Sequence, residues 1–120
     1  MRSDRDRLAD ILEAIEKIRE KCPSTPEELF GSELLHVWVV YHLQVIGEAA
    51  NNLSADLVAD HPEIPWRRIV AARNILVHQY FGIDEGTVWA MVSEDLPALE
   101  APVRVIREGL PRAGRDGTGD

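Results

Sequence analysis

From Ser32 to Leu53 the chain carries apolar side chains at Leu34, Leu35, Val37, Trp38, Val39, Val40, Tyr41, Leu43, Val45, Ile46, Ala49, Ala50 and Leu53. The β-branched run Val37 to Tyr41 would suit a strand, but the length of the segment and its neighbours favour a helix. These residues cover more than one helical face, and a helix apolar nearly all round must bury two sides. With 120 residues there is room for one domain and one core. In so small a domain one of those two sides can face another subunit. The segment cannot cross a bilayer, because His36, His42, Gln44 and Glu48 interrupt it short of the roughly 20 apolar residues a span requires.

The remaining segments supply helices to pack around it. Leu8, Ile11, Leu12, Ile15 and Ile18 recur at steps of three and four, which predicts an amphipathic helix from near Asp4 to Cys22. Pro23 and Pro26 break the chain there. A short helical turn is expected over Glu27 to Phe30, and Gly31-Ser32 offers a cap for the long helix. Ser54 can cap a short helix over Ala55 to Asp60, which ends at His61-Pro62. Pro65 suits the first turn of a helix running from Trp66 to about Val77, with Tyr80-Phe81-Gly82-Ile83 as the following turn. Asp84 or Glu85 begins a last segment with Val88, Met91, Val92, Leu96, Leu99, Val103 and Ile106 at helical spacing, which Pro97 and Pro102 can kink or split. No strand pattern and no repeat is present, so the fold class is all-α: an antiparallel bundle of four main helices plus short ones. Residues 1–110 form the single expected domain, and the Pro- and Gly-rich residues 111–120 a disordered tail.

The formal net charge of −8 argues against indiscriminate binding of phosphate backbones. Its distribution is uneven. No Lys or Arg lies between Lys21 and Arg67, while seven carboxylates fall in that stretch, and positive charge then returns as Arg67, Arg68 and Arg73. The charged N-terminus lacks the apolar segment of a secretory signal, and Cys22, the single cysteine, fits a reducing cytosol. A cytoplasmic protein is the expectation.

Arg73-Asn74-Ile75-Leu76-Val77-His78-Gln79-Tyr80 gathers a fixed cation, an imidazole and a phenol. On a regular helix Arg73 and His78 stand about 140° apart and about 7.5 Å along the axis, so they share no face. If the helix ends at Val77, His78 and Tyr80 can swing back toward the long Arg73 side chain. Such a set suits a phosphodiester, with Arg holding the anion, His moving protons and a neighbouring 2′-hydroxyl of RNA as nucleophile without a metal. Tyr80 can donate to a phosphate oxygen or serve as a nucleophile or modification acceptor. From spacing alone the commoner role of such residues is structural, capping a helix C-terminus and complementing its dipole.

Arg73-x4-His78-x-Tyr80 matches the R-x4-H-x-Y motif of HepT-like toxins in the HEPN superfamily. Ile46-Gly47-Glu48-Ala49-Ala50, Pro62-Glu63-Ile64-Pro65-Trp66, Tyr80-Phe81-Gly82-Ile83-Asp84 and Val88-Trp89 with Asp95-Leu96-Pro97 resemble that family in the same order, across about Arg5 to Ile106. The resemblance implies an all-α homodimer with its motifs near the subunit interface. It also implies a metal-independent endoribonuclease acting as toxin in a type VII-like toxin–antitoxin pair, and a nucleotidyltransferase antitoxin that neutralises it by adding AMP to Tyr80. It gives Arg73 and His78 catalytic roles and makes Asn74 the polar residue that follows the arginine. Glu48 is either an orienting partner of Arg73 or His78 or a carboxylate paired in the core.

Arg67 and Arg68 can extend a phosphate track, although such residues are commonly solvated helix charges. His36, His42 and His61 make no metal-ligand pattern, so neither metal nor cofactor is expected. Trp38, Trp66 and Trp89 read as core or interface anchors. The rival reading is a non-enzymatic helical dimer that binds nucleotide or its nucleotidyltransferase partner, which the acidic composition favours.

Overall fold

The computed structural model describes residues 2–78 and 85–111, with residues 74–78 described in their backbone alone. All regular structure among them is helical. Helix α1 covers Asp4–Lys21 and opens on a capping box, in which the Asp6 N–H donates to Ser3 Oγ at 3.1 Å and the Ser3 N–H to the Asp6 carboxylate at 3.2 Å. The short α2, Pro26–Phe30, is capped by Thr25, and Gly31 and Ser32 lead into α3, Glu33–Asn51. Helix α4 covers Ala55–Asp60 behind the Ser54 cap, and α5 covers Trp66–His78.

Helix α5 keeps the expected start at Trp66, and its end falls within one residue of the expected Val77. Pro65 stands just before α5, where its carbonyl accepts the Ile69 N–H at 3.2 Å. At its other end α5 runs one residue past Val77 and includes His78. The last segment is split rather than kinked. Helix α6, Glu85–Ala90, runs into a wider π-helical turn over Met91–Asp95, and α7, Leu96–Glu108, follows with Pro97 in its first turn and Pro102 inside it. Pro97 has no N–H for the helical ladder, so the widened turn lies where regular helix would be hardest to continue. The expected turn at 80–83, a helix start at Asp84 and the tail beyond residue 111 lie outside the described residues.

Helix α3 takes the central position. It packs antiparallel on α1, where the Trp38 indole donates to the Lys17 carbonyl at 3.0 Å and the Ser54 hydroxyl and N–H both donate to Asp4. Its other main contact is with α5, while α7 closes the far side of α1 through an ion pair of Arg19 with Glu100. Leu8, Ile11, Ile15, Ile18, Leu29, Val39, Leu43, Ile46, Val88, Leu99 and Val103 form the buried centre. One face of α3 stays uncovered, with Leu34 84%, Val37 51% and Tyr41 58% exposed at positions i, i+3 and i+7. None of the helices described is long and apolar enough to cross a membrane.

Candidate functional site

The site is built where α3 and α5 come closest. Gly47 makes that approach possible: a Cβ there would lie 3.0 Å from the backbone N of Arg73, 3.1 Å from its Cβ and 3.1 Å from the carbonyl of Ile69. Any side chain at position 47 would push α5 away at the residue that carries the guanidinium. The next residue on α3 completes the contact, since Arg73 Nη1 donates to Glu48 Oε1 at 3.1 Å.

Glu48 is itself held from its own helix. Asn52 Nδ2 donates to the Glu48 carbonyl at 2.8 Å and to Oε2 at 3.2 Å. The carboxylate therefore bridges Asn52 and Arg73, and its side chain is 55% exposed, not a core carboxylate. Of the two readings left open for Glu48, the geometry is that of a partner for Arg73. The Arg73 side chain is 33% exposed, and its Nε is buried with no hydrogen-bond partner among the described residues. A cation held at one edge with part of its surface open can donate to an anionic oxygen without leaving its place.

His78 closes α5, so the expected swing from a turn after Val77 meets a helix that includes His78 in its final turn. The side chains of Asn74 and His78, and Tyr80 as a whole, lie outside the described residues. Arg67 and Arg68 are both exposed on α5, but they are placed differently. Arg68 is bound to Asp95 at the end of the π-helical turn, whereas Arg67 has no ion pair among the described residues. Burial raises the Asp95 carboxyl above the usual carboxylate range, the Arg68 charge opposes this, and Glu94 adds to it. The expected track Arg67–Arg68–Arg73 is thus not one continuous set of free charges in this structure.

Sequence reasoning missed Asn52 and, although it singled out Asp95 within a family-like segment, did not foresee the pairing of Asp95 with Arg68. Asn52 was findable, because it lies four residues after Glu48 on one helical face. The pairing of Asp95 was not, since 27 residues separate it from Arg68 and nothing local announces the contact. The tryptophans take the anchoring roles expected of them: Trp66 is buried and donates to the His61 carbonyl at 3.0 Å, and Trp38 and Trp89 pack partly buried against the core.

Removing the negative charge of Glu48 tests its role. An ion pair this exposed contributes no more than about 1 kcal/mol to stability, which as lost positioning of Arg73 corresponds to roughly a fivefold change in rate. Glu48→Gln is expected to unfold within a few degrees of the parent while turnover on an RNA substrate falls by about that factor. An unchanged rate would reduce Glu48 to a bystander.

Residues 11–106 match the HepT-like family, described as ribonuclease HepT-like. Among curated proteins, a "Probable ribonuclease HepT" of Thermococcus cleftensis is 40% identical, over 89% of this chain and 98% of that protein. A "Putative RNase" of Methanocaldococcus jannaschii is 34% identical, over 82% of this chain and 92% of its own length. Another of that name from Caldanaerobacter subterraneus is 32% identical, over 88% and 96%. No solved structure matches the chain at a significant level.

Proposed function

The chain belongs to the HepT-like ribonuclease family, and from that premise we propose that it is a metal-independent endoribonuclease, the toxin of a toxin–antitoxin pair. Arg73 carries the reading: its backbone is set against Gly47, its guanidinium is held by Glu48, and its side chain stays partly open. In the proposed reaction Arg73 holds the scissile phosphate and stabilises the charge that builds on it in the transition state. The adjacent 2′-hydroxyl oxygen bonds to phosphorus as the bond to the 5′-oxygen breaks, leaving a 2′,3′-cyclic phosphate and a 5′-hydroxyl. His78 takes the proton from the attacking hydroxyl or delivers one to the leaving oxygen. Asn74 and Glu48 orient the pair, Tyr80 contacts the substrate, and Arg67 and Arg68 lie on α5 as further phosphate contacts, Arg68 after release from Asp95.

Two further elements belong to this reading. The uncovered positions Leu34 and Val37 near the start of the central helix are the surface on which a second copy would pack, leaving Tyr41, one turn further on, outside that seam. Tyr80 is the acceptor for AMP from a cognate nucleotidyltransferase. Its phenol oxygen would attack the α-phosphorus of ATP and release pyrophosphate, and the added anion would compete with RNA for Arg73 by charge and by bulk. The intact mass of protein co-expressed with its neighbouring gene tests this point: a gain of AMP units mapped to Tyr80 supports it, and an unmodified mass leaves steric masking by the partner.

The activity is tested with purified protein, freed of partner and incubated in chelator with labelled tRNA and total RNA. Cleavage under those conditions is expected. The net charge of −8 favours one alternative, a non-enzymatic dimer that binds nucleotide or the nucleotidyltransferase. RNA left intact at micromolar protein that still binds the nucleotidyltransferase would establish that alternative instead.

A further inference from the structure

A second feature adjoins Arg73 on the other side of Glu48. Helices α1 and α3 border a cleft of about 480 Å³ whose lining includes Arg2, Arg7, Asp10, Tyr41, Gln44 and Glu48. That volume falls in the roughly 300–1,000 Å³ range of small-ligand sites. Both carboxylates in the set are already paired, Asp10 with Arg2 and Glu48 with Arg73. Arg7 is half-buried, and its guanidinium has no ion pair or hydrogen bond among the described residues. The cleft therefore holds one positive charge without a counter-ion, next to the cation proposed to grip the scissile phosphate.

Aromatic and amide groups stand beside that charge. The Tyr41 ring is braced edge-on by His42, with centroids 4.9 Å apart and planes at 88°, yet it remains 58% exposed. A held aromatic face beside an unpaired arginine is the combination by which proteins take single-stranded nucleic acid, with the cation on the backbone and the ring on a base. Gln44, half-buried in the lining of the same cleft, carries both a donor and an acceptor for a base edge.

We propose that this cleft is a nucleotide subsite for the stretch of RNA next to the scissile phosphate, with Arg7 binding a flanking phosphate, Tyr41 stacking on its base and Gln44 facing the base edge. The proposal rests on the ribonuclease reading for the identity of its ligand and adds residues from α1 and mid-α3 to those of the motif. It also accounts for selective RNA contact by a chain of net charge −8, since the phosphate contacts are few, local and lined by neutralised carboxylates.

The test uses the full chain and a labelled four-nucleotide RNA methylated at its 2′-oxygens, which lacks the attacking hydroxyl and stays intact. Its Kd is measured by fluorescence anisotropy for the parent, Arg7→Glu, Tyr41→Leu and the charge-matched Arg104→Glu, whose residue is exposed on α7 and does not line the cleft. Arg7 lies in the first turns of α1, where a carboxylate is favourable to the helix, so the reversal is compatible with folding. Arg7→Glu and Tyr41→Leu are expected to weaken binding about tenfold each, as for loss of one stacked base or one phosphate contact, and Arg104→Glu to leave it within about twofold. Equal losses in Arg7→Glu and Arg104→Glu would reveal a net-charge effect and overturn the subsite. So would a Tyr41→Leu protein that changes oligomeric state in sedimentation but binds the RNA unchanged, which would give that face to a second copy. Parallel assays on cleavable RNA keep the two readings apart. A parent that binds but never cuts sinks the ribonuclease and leaves the subsite standing, while an Arg7→Glu protein with the parent's kcat/KM sinks the subsite alone.

Discussion

His78→Ala is expected to lower RNA cleavage by about 10²- to 10⁴-fold, the range supplied by a positioned general acid or base. Far-UV circular dichroism should not change, because His78 is the last residue of α5 and helix ends tolerate substitution. The companion variant Arg73→Lys should be comparably impaired although it keeps the charge. A lysine cannot reproduce a planar fork with one N–H on Glu48 and further N–H groups on a partly open guanidinium. Cleavage retained in His78→Ala would remove the proposed mechanism outright. Full activity in Arg73→Lys would mean that charge alone, without the guanidinium geometry, serves the phosphate.

Gly47→Val is expected to be the most damaging single change outside the motif. Its Cβ would fall 3.0–3.1 Å from the backbone of α5, and backbone cannot turn aside as a flexible side chain can. Relief requires moving α5 away from α3, with an overpacking penalty of about 1–3 kcal/mol and a fall in Tm of roughly 4–15 °C. The functional loss should exceed the loss of stability. The displaced segment carries Arg73, and a shift near 1 Å can reduce a rate by about 10²-fold. Gly109→Ala supplies the contrast, since a Cβ there meets nothing nearer than 3.6 Å and the variant should unfold like the parent. A Gly47→Val protein with parental Tm and turnover would show that the close approach at Arg73 is dispensable.

Most of the fold was legible because its signals are local. The apolar steps of α1, the serine caps of α3 and α4, and the prolines that punctuate the chain each act within one helical turn. The π-helical turn was less so. Pro97 signals that the last segment should break, but whether it kinks, splits or widens depends on how Met91 and Leu96 are buried against the rest of the bundle. The site divides in the same way. Arg73, His78 and Tyr80 stand out as residues close in sequence, and the family match follows them. Glu48 was recognised as important while its partner stayed open, since a carboxylate on an apolar helix announces a need for a counter-charge without naming it.

By itself the sequence determined that this chain is helical, that its Ser32–Leu53 segment is apolar on more than one side, and that it carries the residues by which it resembles its family. These follow from periodicity, caps and residue identity, none of which needs a distant neighbour to be read. The tertiary structure decided which charges meet. Arg68 pairs with Asp95, Arg73 with Glu48 and Arg2 with Asp10, while Arg7, 66 positions before Arg73, has no ion pair among the described residues. Ion pairing depends on separations of a few ångströms, which the packing of α1 and α5 against α3 sets and no spacing along the chain encodes.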